Sequence, residues 1–262
     1  MMMPMDTINY KTLPEIKIMS QGGRIASFTM NEISRHIRAG ITTLELDGIA
    51  NRIIEARRAK PSFLNHEGFP NSICVSINKE VVHGIPARTK IRDGDIVKID
   101  LGIFYKGFHT DIARTFAVGR VSRKIKNMIL TCKNALDKAI HNVKPGNSIG
   151  DIEYVIGDTL KKGGLSPVMS LSGHGIGRIL HEKPSIFCDG KKSTKEKLIS
   201  GMVIAIEPMA TTGNGMVERK DNGWTIISKD GALSFHFEDT VAVIKTGYKV
   251  LTRSNKPDKI FL

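Results

Sequence analysis

The sequence predicts an α+β fold in which two similar halves place antiparallel strands around a shared site, with helices on the outside. Two observations support this prediction. Each half contains two amphipathic helical segments followed by strand-forming segments, and short patterns of the first half recur in the second. Weak internal repetition of this kind indicates a pseudo-twofold arrangement whose sheets pack together.

Four helices are predicted from their start and stop signals. Thr12 and Thr42 are each followed three residues later by a glutamate, which is the spacing of a capping box; Ser122 and Ser148 are predicted N-caps, and proline or glycine marks the end of a helix. The predicted starts are Thr12, Thr42, Ser122 and Ser148, and the predicted ends lie near Gly40, Pro61, Pro145-Gly146 and Gly163-Gly164.

Strands follow each pair of helices, and they carry the internal repeat. They are predicted at 73–77 and 96–116 in the first half and at 202–206 and 225–244 in the second. The HGIP pattern at His83 is echoed by HGIG at His174, and a glycine-led apolar run ends in Asp100 in one half and in Glu207 in the other. We therefore predict one domain with halves at about 12–120 and 121–251, preceded by a flexible end at 1–11.

The composition is that of an ordinary globular protein. The chain has 262 residues, of which 40% are hydrophobic. Its three cysteines lie far apart without a CxxC pair, which favours a reducing cytoplasm. No apolar leader or membrane-length apolar run is present in the sequence, so we expect no membrane association.

The net charge of +13 leaves two interpretations open. It is either the charge of a solvated surface or a means of attraction to RNA, for example near the ribosome. Because the basic residues are scattered along the chain, specific DNA binding is not expected.

Five residues with metal-binding side chains interrupt segments that otherwise read as buried strand or glycine turn. A buried carboxylate is costly unless a cation compensates it. These residues are Asp100, Asp111, His174, Glu207 and Glu238.

The spacing of the first two carboxylates predicts that they lie close together. If 106–107 form a two-residue hairpin turn, Asp100 lies opposite Ala113. Asp111 then lies opposite Gly102, where the missing side chain leaves room for an ion. The alternative is that both carboxylates face solvent on an antiparallel hairpin.

Four carboxylates and one imidazole form a hard, oxygen-rich ligand set. Such a set favours a dinuclear site with two divalent ions, Mn, Fe, Co or similar, over a thiolate zinc site. Two metal ions activate a water molecule and polarise a carbonyl group, so hydrolysis is the expected chemistry.

The chain resembles the bacterial-type (type I) methionine aminopeptidases, which are pita-bread metallopeptidases of the creatinase/aminopeptidase fold. The resemblance covers about 14–251, in the family's order and spacing. The motifs that carry it are SINKEVVHGIP at 76–86, GDIVKID at 94–100, GFHTD at 107–111, GHGIGR at 173–178, HEKP at 181–184, IEPM at 206–209 and FEDT at 237–240. The resemblance implies removal of the initiator methionine from nascent chains whose second residue is small.

The resemblance also implies roles for the polar residues. Asp100 is expected to bind one metal, Asp111 and Glu238 to bridge both, and His174 and Glu207 to bind the other. Glu207 is further expected to handle the proton of the attacking water. Two further histidines are implied: His83 contacts the substrate backbone, and His181 stabilises the tetrahedral oxyanion.

A methionine side-chain pocket is implied by the same resemblance. Soft apolar and aromatic side chains suit a thioether. The chain departs from the family pattern at 65–67, where a tyrosine is common in place of His66, and at Asp239, where a histidine is common; these departures leave the detailed side-chain preference open. The expected lining residues are Cys74, Phe69, Trp224, Phe63, His66 and Leu180.

Two other functions would share part of this pattern. An X-Pro peptidase of the same fold shares the five ligands but usually carries an additional N-terminal domain. A non-catalytic module that binds peptide or RNA generally loses metal ligands, and all five are present here. The family implies a cytoplasmic monomer near the ribosomal exit, and the true start is open among Met1, Met2, Met3 and Met5.

Overall fold

The computed structural model describes residues 7–253, in which four α-helices surround a set of antiparallel strands. The helices are α1 (Leu13–Ser34), α2 (Thr43–Ala56), α3 (Arg123–His141) and α4 (Ile149–Lys162), and a short 3₁₀ helix covers His66–Gly68. The strands are β1 (Lys60–Pro61), β2 (Cys74–Ile77), β3 (Glu80–Val82), β4 (Ile96–Tyr105), β5 (Phe108–Ala117), β6 (Ser166–Pro167), β7 (Ser172–Gly175), β8 (Glu182–Phe187), β9 (Val203–Ile206), β10 (Met209–Thr211), β11 (Val217–Arg219), β12 (Ile226–Ser228), β13 (Ser234–His236), β14 (Glu238–Ile244) and β15 (Gly247–Val250).

The predicted helix starts are confirmed, and three of the predicted ends lie too late. All four predicted N-cap side chains accept the expected backbone hydrogen bond. The first helix stops at Ser34, and the backbone N–H groups of residues 35–37 donate to carbonyls three residues earlier, which ends the α-helical pattern. The second stops at Ala56 because Lys60–Pro61 leave the helix to pair with β4. The third ends at His141, and only the fourth ends at its predicted glycine, Gly163.

The main sheet has nine strands, which come from both predicted halves of the chain. Its order is β1-β4-β5-β14-β9-β7-β8, with β2 paired to β4 and β15 paired to β14. The halves join where β5 pairs with β14, with Ala113 opposite Glu238. The strand-forming segment predicted at 225–244 contains three strands: β12 pairs with β3 and β11, β13 pairs with β10, and β14 belongs to the main sheet. The division into halves stays a prediction.

The register of the main sheet turns five side chains toward one face. Asp100 of β4 and Glu238 of β14 both lie opposite Ala113 of β5, and Asp111 lies two residues before Ala113. His174 of β7 lies opposite Ala205 of β9, two residues before Glu207. Because antiparallel partners share a face and alternate residues along a strand return to it, the five predicted ligands point the same way.

Helices cover the opposite face of the sheet. The pair α1 and α2 packs against apolar residues of β4 and β5 that alternate with the carboxylates, among them Ile99, Leu101 and Ile112. The pair α3 and α4 packs in the same way over strands of the second half, where Ile204, Ile206 and Val241 are buried. A polar face inside and helices outside are thus both consequences of strand alternation.

The N-terminal end is partly held against the fold. Residues 1–6 of the predicted flexible end lie outside the described residues. Its last residue, Lys11, does not fit that prediction, since its side chain is buried and its amide donates to the carbonyl of Gly201 at 2.7 Å. Burial and hydrogen bonding fix Lys11 in place, whatever the residues before it do.

Candidate metal centre and substrate pocket

The four carboxylates predicted from the sequence converge at the centre of the main sheet. The hairpin prediction is confirmed: Tyr105 lies opposite Phe108, so that 106–107 form the turn. Asp111 and Glu238 are 3% and 2% exposed, and each offers an oxygen within 4.8 Å of the other and of a nitrogen of His174.

Burial and repulsion make this cluster unfavourable without a cation. Burial raises the pKa of Asp100, Glu207 and Glu238 well above the ordinary carboxyl range, and the neighbouring charge of Asp111 raises each further. Burial likewise raises the pKa of Asp111 to about 7, against hydrogen bonds from Asp100 and the Ile112 backbone. Like charges held together out of water favour either protonation or a bound cation.

Unsatisfied oxygens show where a cation fits. Oδ1 of Asp100 and Oε1 of Glu238 are buried and have no hydrogen-bond partner among the described residues. Buried polar atoms normally have partners, so an orphaned pair facing a common space is the donor set of a divalent ion. The residues present therefore fit a divalent metal.

His174 is prepared to offer a neutral nitrogen to the centre. Its Nδ1 lies 2.9 Å from the carbonyl oxygen of Gly175, which leaves Nε2 facing Glu207, 3.7 Å from Oε1. Burial, helped by the neighbouring His181, lowers the pKa of His174 to about 3. A second partner that fixes the tautomer is typical of metal-binding histidines.

His236 is a site residue that the sequence analysis missed. It is 1% exposed, and its Nε2 lies 3.2 Å from Oε2 of Glu207. A ring nitrogen of His236 and carboxylate oxygens of Glu207 and Glu238 all lie within 4.8 Å of one another. The available signal was its position two residues before Glu238, although the two residues belong to different strands.

The space that Gly102 was expected to leave for an ion is occupied by protein. A Cβ atom on Gly102 would lie 2.6 Å from Cβ of Ser62 and 2.9 Å from Cε1 of Phe63. The glycine is thus required for the 62–63 segment to approach the sheet, and that expectation was wrong. Its actual effect is to place Phe63 in the wall of the neighbouring cavity.

An apolar cavity of about 120 Å³ adjoins the four carboxylates. Its aromatic wall is a pair of edge-to-face contacts, with ring centroids 6.5 Å apart for Phe63 and Phe69 and 5.2 Å apart for Phe69 and Trp224. Glu67, which was not predicted as a site residue, also lies at this wall. All six predicted side-chain pocket residues line the cavity: Phe63, His66, Phe69, Cys74, Leu180 and Trp224.

The two predicted unliganded histidines lie between this cavity and a second, more open one. The second cavity has a volume of about 440 Å³ and includes Val82, Leu171 and Met209. His83 and His181 line both cavities. The carboxylate centre is therefore flanked by a small apolar pocket on one side and an open groove on the other.

His181 lies between two other imidazole rings. Its ring centroid lies 4.6 Å from that of His174 and 5.4 Å from that of His66, both with edge-to-face geometry. Burial lowers the pKa of His181, and the neighbouring His66 lowers it further. A neutral imidazole at this position is able to donate a hydrogen bond toward the centre.

Asp239, one of the departures noted in the sequence, faces away from the centre. It lies opposite Ile206, on the helix-covered face of the sheet. Its carboxylate is 2.9 Å from Nη2 of Arg114 and 2.7 Å from Nε of Arg253. This residue therefore belongs to a buried ion-pair network behind the site rather than to the site itself.

Comparison with known proteins agrees with this architecture. The model of metallopeptidase family M24 matches residues 17–245. A methionine aminopeptidase of Clostridium perfringens is 42% identical over 238 residues, which cover 91% of this chain and 96% of that protein. A crystal structure of methionine aminopeptidase from Rickettsia prowazekii superposes with a TM-score of 0.92 at 38% identity, covering 94% of this chain and all (100%) of that one.

A more distant structural relative helps to place the chain within its fold. The prolidase of Pyrococcus furiosus superposes with a TM-score of 0.77 at 25% identity, and the match covers 94% of this chain but 66% of the prolidase. The shared pita-bread fold and the buried carboxylate centre define a metal-dependent peptidase. The chain belongs to metallopeptidase family M24, and its full-length similarity places it among the methionine aminopeptidases of that family. Divalent metal binding is a property of that family.

Proposed function

We propose that the protein removes the N-terminal methionine from nascent polypeptides whose second residue is small. One observation carries the proposal: the carboxylate centre lies between a small apolar cavity and an open groove. A peptide bond at the centre then has one side chain in the small cavity and the rest of the chain in the groove. The room in the small cavity suits a single terminal residue, as an aminopeptidase requires.

The small cavity fits the methionine side chain in chemistry as well as in position. Trp224 and Phe69 present ring edges and faces, and Cys74 adds a small polarizable thiol. Thioethers make favourable contacts with aromatic rings at about 5 Å. Burial raises the pKa of Cys74 well above its usual range, and the charge of Asp100 raises it further, so the thiol stays neutral in this pocket.

The five predicted ligands and the proposed cofactor fit together chemically. We assign two divalent ions, Mn, Fe, Co or similar, to Asp100, Asp111, His174, Glu207 and Glu238. When bound, such ions supply Lewis acidity that polarises the scissile carbonyl and lowers the pKa of a water molecule. The four carboxylates line the apolar cavity and would hold the positive charge of the ions beside it.

The remaining steps fall to side chains of the chain itself. Glu207 accepts the proton of the attacking water, since a buried carboxyl with a raised pKa is matched to proton transfer near neutral pH. His181 donates a hydrogen bond to the developing oxyanion, and His83 contacts the backbone of the scissile peptide. Both histidines line the two cavities that meet at the centre, where the scissile peptide bond of a substrate would lie.

The experiment is release of methionine from Met-Ala-Ser by metal-stripped protein to which Mn(II), Fe(II) or Co(II) is returned singly. We expect metal-dependent cleavage of methionine before small residues. Glu207→Gln keeps the shape but not the base, so turnover should fall by roughly 10²-fold or more. Glu218→Gln, at an exposed position of β11, is the matched control and should retain full activity.

Other outcomes would change the assignment. Cleavage of residues other than methionine before proline would favour an X-Pro peptidase, although the lower identity and partial coverage of the prolidase weigh against it. Full activity of Glu207→Gln would overturn the proposed role of that residue. Inactivity with every metal would overturn the proposed function.

We further propose that the protein acts as a cytoplasmic monomer near the ribosome. The net charge of +13 is the observation in favour, because polyanionic RNA attracts a basic surface. No helix among residues 7–253 is long and apolar enough to cross a membrane. Binding to ribosomes should weaken by about tenfold or more between roughly 50 and 200 mM salt, and binding that ignores salt would contradict the electrostatic origin.

A further inference from the structure

The turn that carries His181 has little regular backbone structure of its own. It spans 176–181, between β7 and β8, and its residues belong to no helix or strand. Its internal backbone bond runs from the Gly177 N–H to the Ile179 carbonyl at 3.1 Å. Backbone hydrogen bonds tie its start to neighbouring strands, from the Ile176 N–H to the Val203 carbonyl at 3.0 Å and from the His109 N–H to the Gly177 carbonyl at 2.7 Å. The rest of the turn, 178–181, relies on side-chain contacts for a fixed shape.

Glu182, the residue after His181, closes this turn. Its Oε1 accepts a hydrogen bond from the Ile179 backbone N–H at 3.2 Å, which ties the end of the turn to its middle. Glu182 is also the residue of β8 that lies opposite Gly175 of β7. The carboxylate therefore sets the path of the backbone on both sides of His181.

The second oxygen of Glu182 is held by Lys11, far away in sequence. The Lys11 ammonium lies 2.5 Å from Oε2 of Glu182, and the two side chains are 5% and 3% exposed. The same ammonium donates to the Asn9 carbonyl at 2.8 Å, and the Lys11 amide donates to the Gly201 carbonyl at 2.7 Å. Lys11 thus joins the N-terminal segment to the turn and to the start of the strand that leads to Glu207.

The contact of Lys11 with the turn is one of packing as well as charge. A Cβ atom on Gly177 would lie 2.2 Å from Cε of Lys11 and 2.8 Å from Oε1 of Glu182. The turn therefore follows a path that only glycine permits, directly against the lysine stem. Loss of the stem would leave a gap where the turn now rests.

We propose that Lys11 is a positioning residue that acts through Glu182 to hold the 176–181 turn, and with it the imidazole of His181, in the orientation that catalysis needs. The inference rests on the function proposed above for His181. A buried pair of this kind is strongly destabilised when one partner is removed, because the other charge remains without compensation. Small displacements of a catalytic group are costly in rate, so the effect should appear in turnover.

The first test measures hydrogen exchange of backbone amides in the turn, without substrate. Lys11→Met keeps most of the stem and removes the ammonium, and exchange across 176–182 should rise by about tenfold or more. Lys17→Met is the matched control, because Lys17 lies on the exposed side of α1, and it should leave exchange unchanged. Unchanged exchange in Lys11→Met would overturn the proposal.

A second variant distinguishes the loss of the Lys11–Glu182 link from a general loss of stability. Lys11→Met/Glu182→Met removes both charges, so neither remains buried alone, and the thermal midpoint should recover relative to Lys11→Met. Exchange in the turn should nevertheless stay high, because the link between the N-terminal segment and the turn is still absent. Exchange that returns to the wild-type rate in the double variant would overturn the bracing role.

The catalytic consequence is tested by a double-mutant cycle with His181→Ala. Lys11→Met alone should lower kcat by about tenfold with little change in KM. In the His181→Ala background the same substitution should cost less than about twofold, because its target is already gone. Independent, multiplicative losses would show that Lys11 does not act through His181.

Failure of this inference is distinguishable from failure of the proposed function. If the unaltered chain releases no methionine with any metal, the proposed function and the catalytic half of this inference are overturned together. The exchange experiment needs no activity and still decides whether Lys11 holds the turn. Metal binding, followed by titration calorimetry on stripped protein, should be the same in Lys11→Met and wild type.

Discussion

At the residue scale, burial keeps the site histidines neutral. Burial, helped by the nearby His181 and Arg219, lowers the pKa of His83 to about 4. His83 also has a φ of 57°, in the left-handed region that few residues other than glycine and asparagine adopt readily. The strained backbone conformation therefore falls on a residue that lines both cavities beside the centre.

The depressed pKa of His83 predicts how stability depends on pH. The unfolded chain takes up the proton near pH 6.5 and the folded chain only near pH 4, so the stabilisation is present above pH 6.5 and is lost as pH falls toward 4. The loss from this residue is on the order of 3 kcal/mol. The measurement is the free energy of unfolding of chelated protein by urea between pH 7 and 4.

His83→Asn is the matched variant for this measurement. Asparagine tolerates the left-handed backbone and does not titrate in this range. The variant should lose less stability than wild type over the same pH interval, although other buried histidines titrate in both proteins. Parallel curves would show that His83 is protonated in the folded state as readily as in the unfolded one.

At the element scale, the β4–β5 hairpin decides the geometry of the centre. Its two-residue turn sets Asp100 opposite Ala113 and places Asp111 on the same face. Both turn residues have positive φ, 49° for Lys106 and 87° for Gly107, as the favoured tight hairpin turns require. A register shift by one residue would turn both carboxylates into the helix-covered face.

Gly102 is the position in this hairpin where an added methyl group has the clearest consequence. Gly102→Ala should force Ser62 and Phe63 away from the sheet, since the new Cβ would lie 2.6 Å from Cβ of Ser62. Overpacking costs about 1–3 kcal/mol of stability, and displacement of Phe63 should raise KM for methionyl peptides by about tenfold. Steady-state kinetics and thermal unfolding measure the two effects.

A compensating change provides the control for that substitution. Ser62→Gly removes the Cβ that Gly102→Ala would strike, so the double variant should recover part of both losses. Metal affinity should remain near wild type throughout, since the space beside Gly102 is filled by Ser62 and Phe63. A KM unaffected by Gly102→Ala would mean that Phe63 does not shape the pocket.

At the scale of the whole molecule, two halves of the chain enclose one charged centre. The main sheet joins them at β5 and β14, and the ligands come from strands on both sides of that seam. A cation bound there would link strands of both predicted halves and remove the repulsion among the four carboxylates. Metal binding and global stability are therefore coupled.

This coupling predicts that removal of metal lowers the midpoint of thermal unfolding. At a free metal concentration of about 100 times Kd, binding stabilises the folded state by about 2.7 kcal/mol. For a chain of this size that corresponds to a midpoint shift of about 5–10 °C, measured by calorimetry with and without chelator. Asp111→Asn should show a smaller metal-induced shift, and a midpoint indifferent to metal in wild type would contradict the coupling.

Much of the molecule could be predicted from the sequence because the signals are local. The helix starts depend on a side chain and an amide three residues apart, and the Asp100–Asp111 pairing depends on the length of one turn. The fold and the family inferred from the order of the motifs are confirmed by the comparisons. The roles of individual site residues stay predictions.

The sequence by itself determined the fold class, the family and the five candidate ligands, because strand alternation and motif spacing are properties of neighbouring residues. Only the tertiary structure decided that His236 approaches Glu207, that Ser62 and Phe63 fill the space beside Gly102, and that Lys11 is bound to Glu182. Each of these contacts joins segments that are far apart in the chain or belong to different strands. No local pattern encodes such a contact, since it exists only once the sheet has brought those segments together.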